Sequence, residues 1–335
     1  MSTAQLSTTT PAYPDRSTRL MIFGIFQILL GCLFGLIAVM MIALPLLGPM
    51  AKAPQGQAMN TQMMIPCLIL YLMLAVAAIW LGIGSIRARR WAWTLTVVLS
   101  WMWLIMGVAG FVMFVFFMGP MMSASMAQQA KMPPQALIMM QVIAGVFSAC
   151  IYILLPALFL LCYHRASVRA TCQRRDPQIR WTDRCPMPVL ALSIILGFSV
   201  VSMPLSATFC PMPIFGVILS GAAGAAVVLL LTLVLAYLAW GTYRLQMAAW
   251  WGTLLFWILG TVNMAVTFSQ TGLMEMYEKM GMPAAQLEMI RKSGMIEMMS
   301  RLMPWMGLVG GAMWLGYLLY VRRYFVRGRA ATSGM

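Results

Sequence analysis

The side chains that could do chemistry in this chain are few and mostly uncharged. Methionine is the most unusual, with 36 residues. Thioether sulfur is a soft donor that selects Cu(I) over harder ions. Met276-x3-Met280 and Met295-x2-Met298 would each set two sulfurs on one side of a helix, as would Met122-x3-Met126 and Met299-x3-Met303. These pairs suggest an outer-face Cu(I) or Ag(I) site, although no flanking His or Cys completes it. Methionine also suits an adaptable apolar surface. Its plainest use is to fill the apolar side of amphipathic helices. Residues 283–302 fit that use, with Pro283 at a first turn and Glu288–Lys292 and Glu297–Arg301 as i,i+4 pairs.

A second set is polar and neutral. Gln141, Gly145, Ser148 and Tyr152 share one helical face, as do Ser199, Ser202 and Ser206 near Pro204. Asn263, Thr267 and Gln270 repeat at i, i+4, i+7. The candidate ligand-binding residues are therefore Gln141, Ser148, Tyr152, Ser199, Ser202, Ser206, Asn263, Thr267 and Gln270. Hydrogen bonding between helices is the competing use, because such bonds are ordinary in membrane bundles. The stripe is expected in the second half only, since span three has Met106, Gly110 and Met113 at the matching places.

Much chemistry is excluded. No Asp, Glu, Lys, Arg or His lies in the middle of an apolar stretch, which argues against buried proton relays and intramembrane hydrolases. The chain has one histidine, His164, no P-loop and no Ser–His–Asp set. A serine or cysteine nucleophile at depth would have no base to activate it. The expectation is a protein that is not an enzyme and has no cofactor. Cys172, Cys185 and His164 lie near one another in sequence, but four zinc ligands at finger spacing are missing.

These residues must be carried by membrane helices. Of 335 residues, 62% are apolar and 9% are charged, against about 25% charged in a soluble domain. Mean hydropathy is +0.87. A soluble core cannot hide that much apolar surface, and disorder needs the opposite composition. Spans of about 20 apolar residues are expected near 20–47, 63–86, 91–118, 136–163, 187–209, 214–240, 249–271 and 303–321. The fold class is thus an all-α integral membrane protein with eight transmembrane helices. The Ser/Thr/Pro-rich segment 1–19 reads as a disordered tail, and 322–335 as a basic one. The stretch from Leu20 to Leu47 is too long for a signal-peptide core.

Charge gives an orientation. Sixteen basic and three acidic residues fall in the two tails and alternate loops, including Arg87, Arg89, Arg90, Arg165 and Arg322. The opposite loops carry six basic and four acidic residues. The positive-inside rule puts both termini in the cytoplasm, hence a multi-pass protein of the cytoplasmic membrane. The +15 net charge is then a topology signal and does not imply nucleic acid.

The halves also resemble each other. Leu81, Gly84, Arg87, Ala92, Trp93 and Thr96 match Leu238, Gly241, Arg244, Ala249, Trp250 and Thr253, and Ser85 pairs with Thr242. Tyr163-His-Arg165 is paired with Tyr320-Val-Arg322. The expected architecture is two tandem parallel four-helix repeats, 20–170 and 171–321. Gly31-x3-Gly35, Gly307-x3-Gly311 and a Gly216, Ser220, Gly224 ladder are expected at helix contacts. Parallel repeats occur in transporters. The leading expectation is therefore permease-like handling of an uncharged or amphipathic small molecule between the repeats. A membrane scaffold or partner subunit, docking another membrane protein through loop 164–186 or the Met-rich outer segments, is the alternative.

Overall fold

The computed structural model describes residues 15–47, 61–119, 134–207, 212–219, 221–270 and 295–333, with single positions between 274 and 291. These residues are mostly helical, with one small hairpin and a largely irregular connector over 176–186. Helix α1 is Ser17–Leu47, α2 Thr61–Ile86 and α3 Arg90–Met113. Helix α4 runs over 134–163, and α5 is the short polar helix Ala166–Arg175. Then come α6 Met187–Ala207, strands β1 Met212–Ile214 and β2 Val217–Leu219, α7 Gly221–Tyr243, α8 Met247–Gln270 and α9 Met295–Ser333.

Seven of these helices are long and apolar enough to cross a membrane. Their outer faces stay apolar: Ile22, Val76, Phe147 and Leu229 are all more than half exposed. Apolar faces of this extent suit a lipid surround or a protein partner, not water. The stretch 303–321 lies inside α9, whose 39 residues make a rod about 58 Å long.

The chain groups into two compact units. The first takes the residues up to Leu44 with Ile69–Phe111 and Val146–Arg184; the second takes Pro45–Leu68, Val112–Gly145 and Cys185–Met335.

In the first unit α1 buries Leu20, Gly24, Gln27, Gly31 and Ala38, a spacing that keeps one seam inward along the helix. The backbones of α1 and α2 touch there. A Cβ on Gly82 would stand 2.6 Å from the Gly24 carbonyl oxygen, and one on Gly31 would stand 2.9 Å from that of Ala75. The close approach uses Gly24, Gly31 and Gly82, not the expected Gly31–Gly35 pair, because Gly35 meets only Ala75 at 4.0 Å. Seven-residue spacing holds a long seam in register, whereas a four-residue pair serves a single crossing.

Helix α2 ends in a tight corner. Arg89 N–H donates to Gly84 O and Ala88 N–H to Ser85 O, both at 2.9 Å, with Ala88 left-handed at φ 48°. This is a helix stop of the kind glycine usually closes. The next helix folds back so closely that a Cβ on Gly84 would come 2.6 Å from the Ala92 methyl.

In the second unit α7 ends the same way. Gln246 N–H donates to Gly241 O and Leu245 N–H to Thr242 O, at 2.9 Å each, with Leu245 at φ 57°. A Cβ on Gly241 would stand 2.7 Å from Ala249. The core of this unit comprises Val189, Leu190, Leu192 and Leu196 of α6, Leu235 and Leu238 of α7, Trp250 of α8, and Leu318, Val321 and Phe325 of α9.

Two packing expectations fail here. Residues 212–219 form an antiparallel hairpin pairing Met212 with Leu219 and Ile214 with Val217, so α7 starts at Gly221 instead of near 214. Gly216 sits in the hairpin turn at φ 83°, a conformation open to glycine, and is no rung of a helical ladder. Ser220 lies outside the described residues. Gly224 packs on the Leu219 carbonyl. Gly307 and Gly311 have nothing within 4 Å of a would-be Cβ, so they form no seam among the described residues.

Candidate functional site

The polar residues are positioned by two prolines, a hairpin and a buried network. Helix α4 is not a uniform α-helix. Pro156 has no N–H for the Tyr152 carbonyl four residues earlier. The helix widens instead: over Cys150–Leu154 it takes π geometry, and Leu155 N–H reaches back five residues to Cys150 O. The end of α3 repeats the pattern, with a wide turn at Phe114–Met118 and Gly119 N–H bonded to Phe114 O, just before Pro120. Wide turns of this kind are frequent at functional sites.

Of the α4 candidates, Ser148 is half-buried and two residues before the widening, and Tyr152 is inside it and 49% exposed. Gly107 of α3 packs directly on the Tyr152 carbonyl, with no space for a methyl group. Gln141 is half-buried, and its amide lies against Gly119.

In the second unit the polar residues mostly serve their own chain. Ser199 Oγ donates to Ile195 O at 3.0 Å, and Ser202 Oγ to Ser199 O at 3.5 Å, both within α6. Ser206 is on the last turn of α6, and its side chain lies outside the described residues. Asn263 and Thr267 hold the hairpin. Asn263 Oδ1 accepts from Phe215 N–H at 2.6 Å, and Thr267 Oγ1 from Gly216 N–H at 3.3 Å. The turn therefore finds acceptors one helical turn apart on α8, and Thr267 is 2% exposed. Gln270 ends α8, with its side chain outside the described residues.

Met295 and Met298 fall in the first turn of α9, again without described side chains; Met276 and Met280 lie outside the described residues. The amphipathic helix expected over 283–302 also lies largely outside them. Among the described residues no three His, Cys, Asp or Glu side chains gather as for a metal. Burial pushes the Cys172 thiol up to about 12, helped by nearby Asp176 and opposed by Arg175. Burial alone pushes the Cys185 thiol up to about 12. Both are thiols at neutral pH, unlike ligating or nucleophilic cysteines.

A network in the first unit was not foreseen from sequence. Gln27 Nε2 donates to Thr96 Oγ1 at 3.2 Å, Ser85 Oγ donates to Gln27 Oε1 at 3.0 Å, and Tyr163 Oη donates to Ser85 Oγ at 2.9 Å. Each of α1, α2, α3 and α4 supplies one member. Trp93 Nε1 closes the set by donating to Tyr163 O at 2.8 Å, with the Arg169 guanidinium 5.5 Å over its ring. These bonds lie at positions other than Met106, Gly110 and Met113, the first-half matches of the α8 stripe.

In the second unit a tryptophan bonds in the same way, but no matching network occurs among the described residues. Trp250 Nε1 donates to Leu318 O at 2.9 Å, and Arg322 stacks over its ring at 5.4 Å. The carbonyl used is two residues before Tyr320, so this bond follows a register two residues off the Tyr163–Tyr320 pairing. Thr242, the match of Ser85, is fully buried, and its hydroxyl has no partner.

Beyond α4 the basic connector folds around one carboxylate. Asp176 is 1% exposed and accepts from Arg180 Nη2 at 3.0 Å and Nε at 3.2 Å and from Arg90 N–H at 3.4 Å, with Arg89 at 3.6 Å. Burial alone would raise its pKa. The Arg180 guanidinium, the Arg90 N–H and the Arg89 charge outweigh that and hold it below the usual carboxylate range. Thr171 Oγ1 accepts the Arg16 N–H at 3.1 Å, tying the start of α1 to α5. The chain matches no protein-family model, no curated protein and no solved structure.

Proposed function

We propose that this chain is a permease-like protein of the cytoplasmic membrane that handles an uncharged or amphipathic small molecule and carries no catalytic centre. Eight spans in two tandem four-helix repeats, with both termini cytoplasmic, are part of the proposal. The duplication is supported by the corners at Ala88 and Leu245, which share hydrogen bonds, a left-handed residue and a tryptophan at one constant offset of 157 positions. The orientation rests on the arginine distribution.

The observation that carries the functional reading is the wide turn Cys150–Leu154 in α4, flanked by Ser148 and containing Tyr152. Irregular backbone at membrane depth is tolerated where it is packed by protein or lines a cavity. A proline-driven widening is also where a span bends. Asn263 and Thr267 already hold the hairpin, so α4 is favoured over α8 as the ligand element.

The test is a thermal-shift screen of detergent-purified protein against neutral metabolites, amphipathic compounds and Ag(I). A ligand at 100 times its dissociation constant adds about 2.7 kcal/mol to the folded state. The expected result is a shift with a neutral or amphipathic compound that Tyr152→Leu or Pro156→Ala abolishes. A shift those variants leave intact would refute the α4 site, and a shift with Ag(I) alone would favour the Met-cluster reading. The partner-subunit reading has one observation in its favour, the ordered basic connector. It expects a second membrane protein in gently solubilised preparations.

A further inference from the structure

We propose that the connector between α4 and α6 is a binding surface for the phosphates of anionic phospholipids. Residues 164–186 carry six arginines against two aspartates. Both aspartates are already engaged. Asp176 is enclosed by Arg180, Arg89 and the Arg90 N–H, and Asp183 faces Arg90 at 3.9 Å and accepts Arg180 N–H at 3.0 Å. The buried carboxylate thus folds the segment without cancelling its outward charge. Arg165, Arg174, Arg175 and Arg184 are exposed; Arg175 also meets the exposed Asp15 at 3.4 Å.

Geometry confines the segment to the membrane surface. It leaves one candidate span at Tyr163 and enters the next at Met187, so its 23 residues cannot travel far from the headgroups. Its apolar side chains suit that depth: Ile179 is 72% exposed and Trp181 43% exposed, between Arg175 and Arg184. Tryptophan favours the interface, where the ring is apolar and the N–H wet. Guanidinium groups bind phosphate oxygens in a planar, two-pronged way. Exposed arginines flanking exposed Ile and Trp, on a backbone fixed by an internal ion pair, fit an anionic lipid surface better than an acidic soluble protein, which would leave Ile179 and Trp181 in water. The inference is independent of any transported ligand.

The test uses full-length protein in neutral detergent, given phosphatidylglycerol or phosphatidylcholine, with retained lipid counted by native mass spectrometry. The connector variant is Arg165→Gln with Arg174→Gln and Arg184→Gln. The control removes equal charge elsewhere, as Arg323→Gln with Arg327→Gln and Arg329→Gln. Wild type and control are expected to retain phosphatidylglycerol about tenfold over phosphatidylcholine at low salt, falling as salt screens the charges. The connector variant is expected to lose that preference while keeping its melting temperature in detergent. Equal loss in both variants, no preference in wild type, or recovery of an acidic protein through these arginines without lipid preference overturns the proposal.

Discussion

The sharpest test of the two-unit reading compares Ser85 with Thr242. Ser85→Ala deletes a hydroxyl that donates to Gln27 Oε1 and accepts from Tyr163 Oη, leaving two buried polar atoms short of a partner. An unsatisfied buried group costs about 1–3 kcal/mol in soluble proteins. Hydrogen bonds between membrane helices average about 0.6 kcal/mol and reach about 1.7. Two such losses come to about 1–3 kcal/mol, because Gln27 keeps Thr96 and the tyrosine cannot reach water. Thr242→Val makes the matching change where the hydroxyl is fully buried and bonds nothing. Valine has the same shape, so this change should be neutral or stabilise by up to about 1 kcal/mol. Scanning fluorimetry in detergent reads the difference: at about 2–4 °C per kcal/mol, Ser85→Ala should melt several degrees below Thr242→Val. Equal melting temperatures, or a costly Thr242→Val, would refute the network as described.

Three further outcomes are expected. Ala88→Gly should raise the melting temperature by a few degrees, since its φ of 48° carries about 1 kcal/mol of left-handed strain; a drop like that of glycine inside a helix would contradict it. Gly82→Ala should cost about 1–3 kcal/mol or abolish folding, as its methyl would meet the Gly24 carbonyl oxygen at 2.6 Å; an unchanged melting temperature would count against the α1–α2 seam. Asp176 has a folded pKa below its ordinary value of 3.8, so its stabilisation is present above that value and lost as pH falls through the folded one. Asp176→Asn should therefore speed tryptic cleavage after Arg175 and Arg180 severalfold at pH 7, while wild type keeps its protection down to about pH 4.

Seven spans were legible because hydropathy acts through long sums, and a helix buried in lipid declares itself over 20 residues. The spacing of Gly84, Ala92, Trp93 and their matches was legible as a repeat, but the left-handed corners at Ala88 and Leu245 were not. Nor was the network. Gln27, Ser85, Thr96 and Tyr163 each stand alone in an apolar stretch, and their bonds join residues 58, 69 and 78 positions apart. No local period carries that information. The hairpin was missed because Ile214, Val217, Ile218 and Leu219 continue the apolar run of α7, which masked the breaks at Pro211, Pro213, Gly216 and Gly221. The wide turns had only a partial signal. Pro156 removes one N–H inside α4 beside the turn at Cys150–Leu154, but Pro66 and Pro204 also lie inside helices without a wide turn, so proline alone does not mark one. Helical periodicity placed Asn263 and Thr267 correctly on one face, but it could not say that the face meets a hairpin.

That hairpin bears on how the chain is built. Membrane proteins are made and inserted from the N-terminus, so α6, the hairpin and α7 exist before α8 is complete. Until then the N–H groups of Phe215 and Gly216 lack the Asn263 and Thr267 oxygens that accept them in the folded unit. Asn263 and Thr267 then supply both with fixed side-chain oxygens. Helix α8 thus supplies acceptors to a hairpin made earlier in the chain, and a chain truncated before Asn263 would lack both.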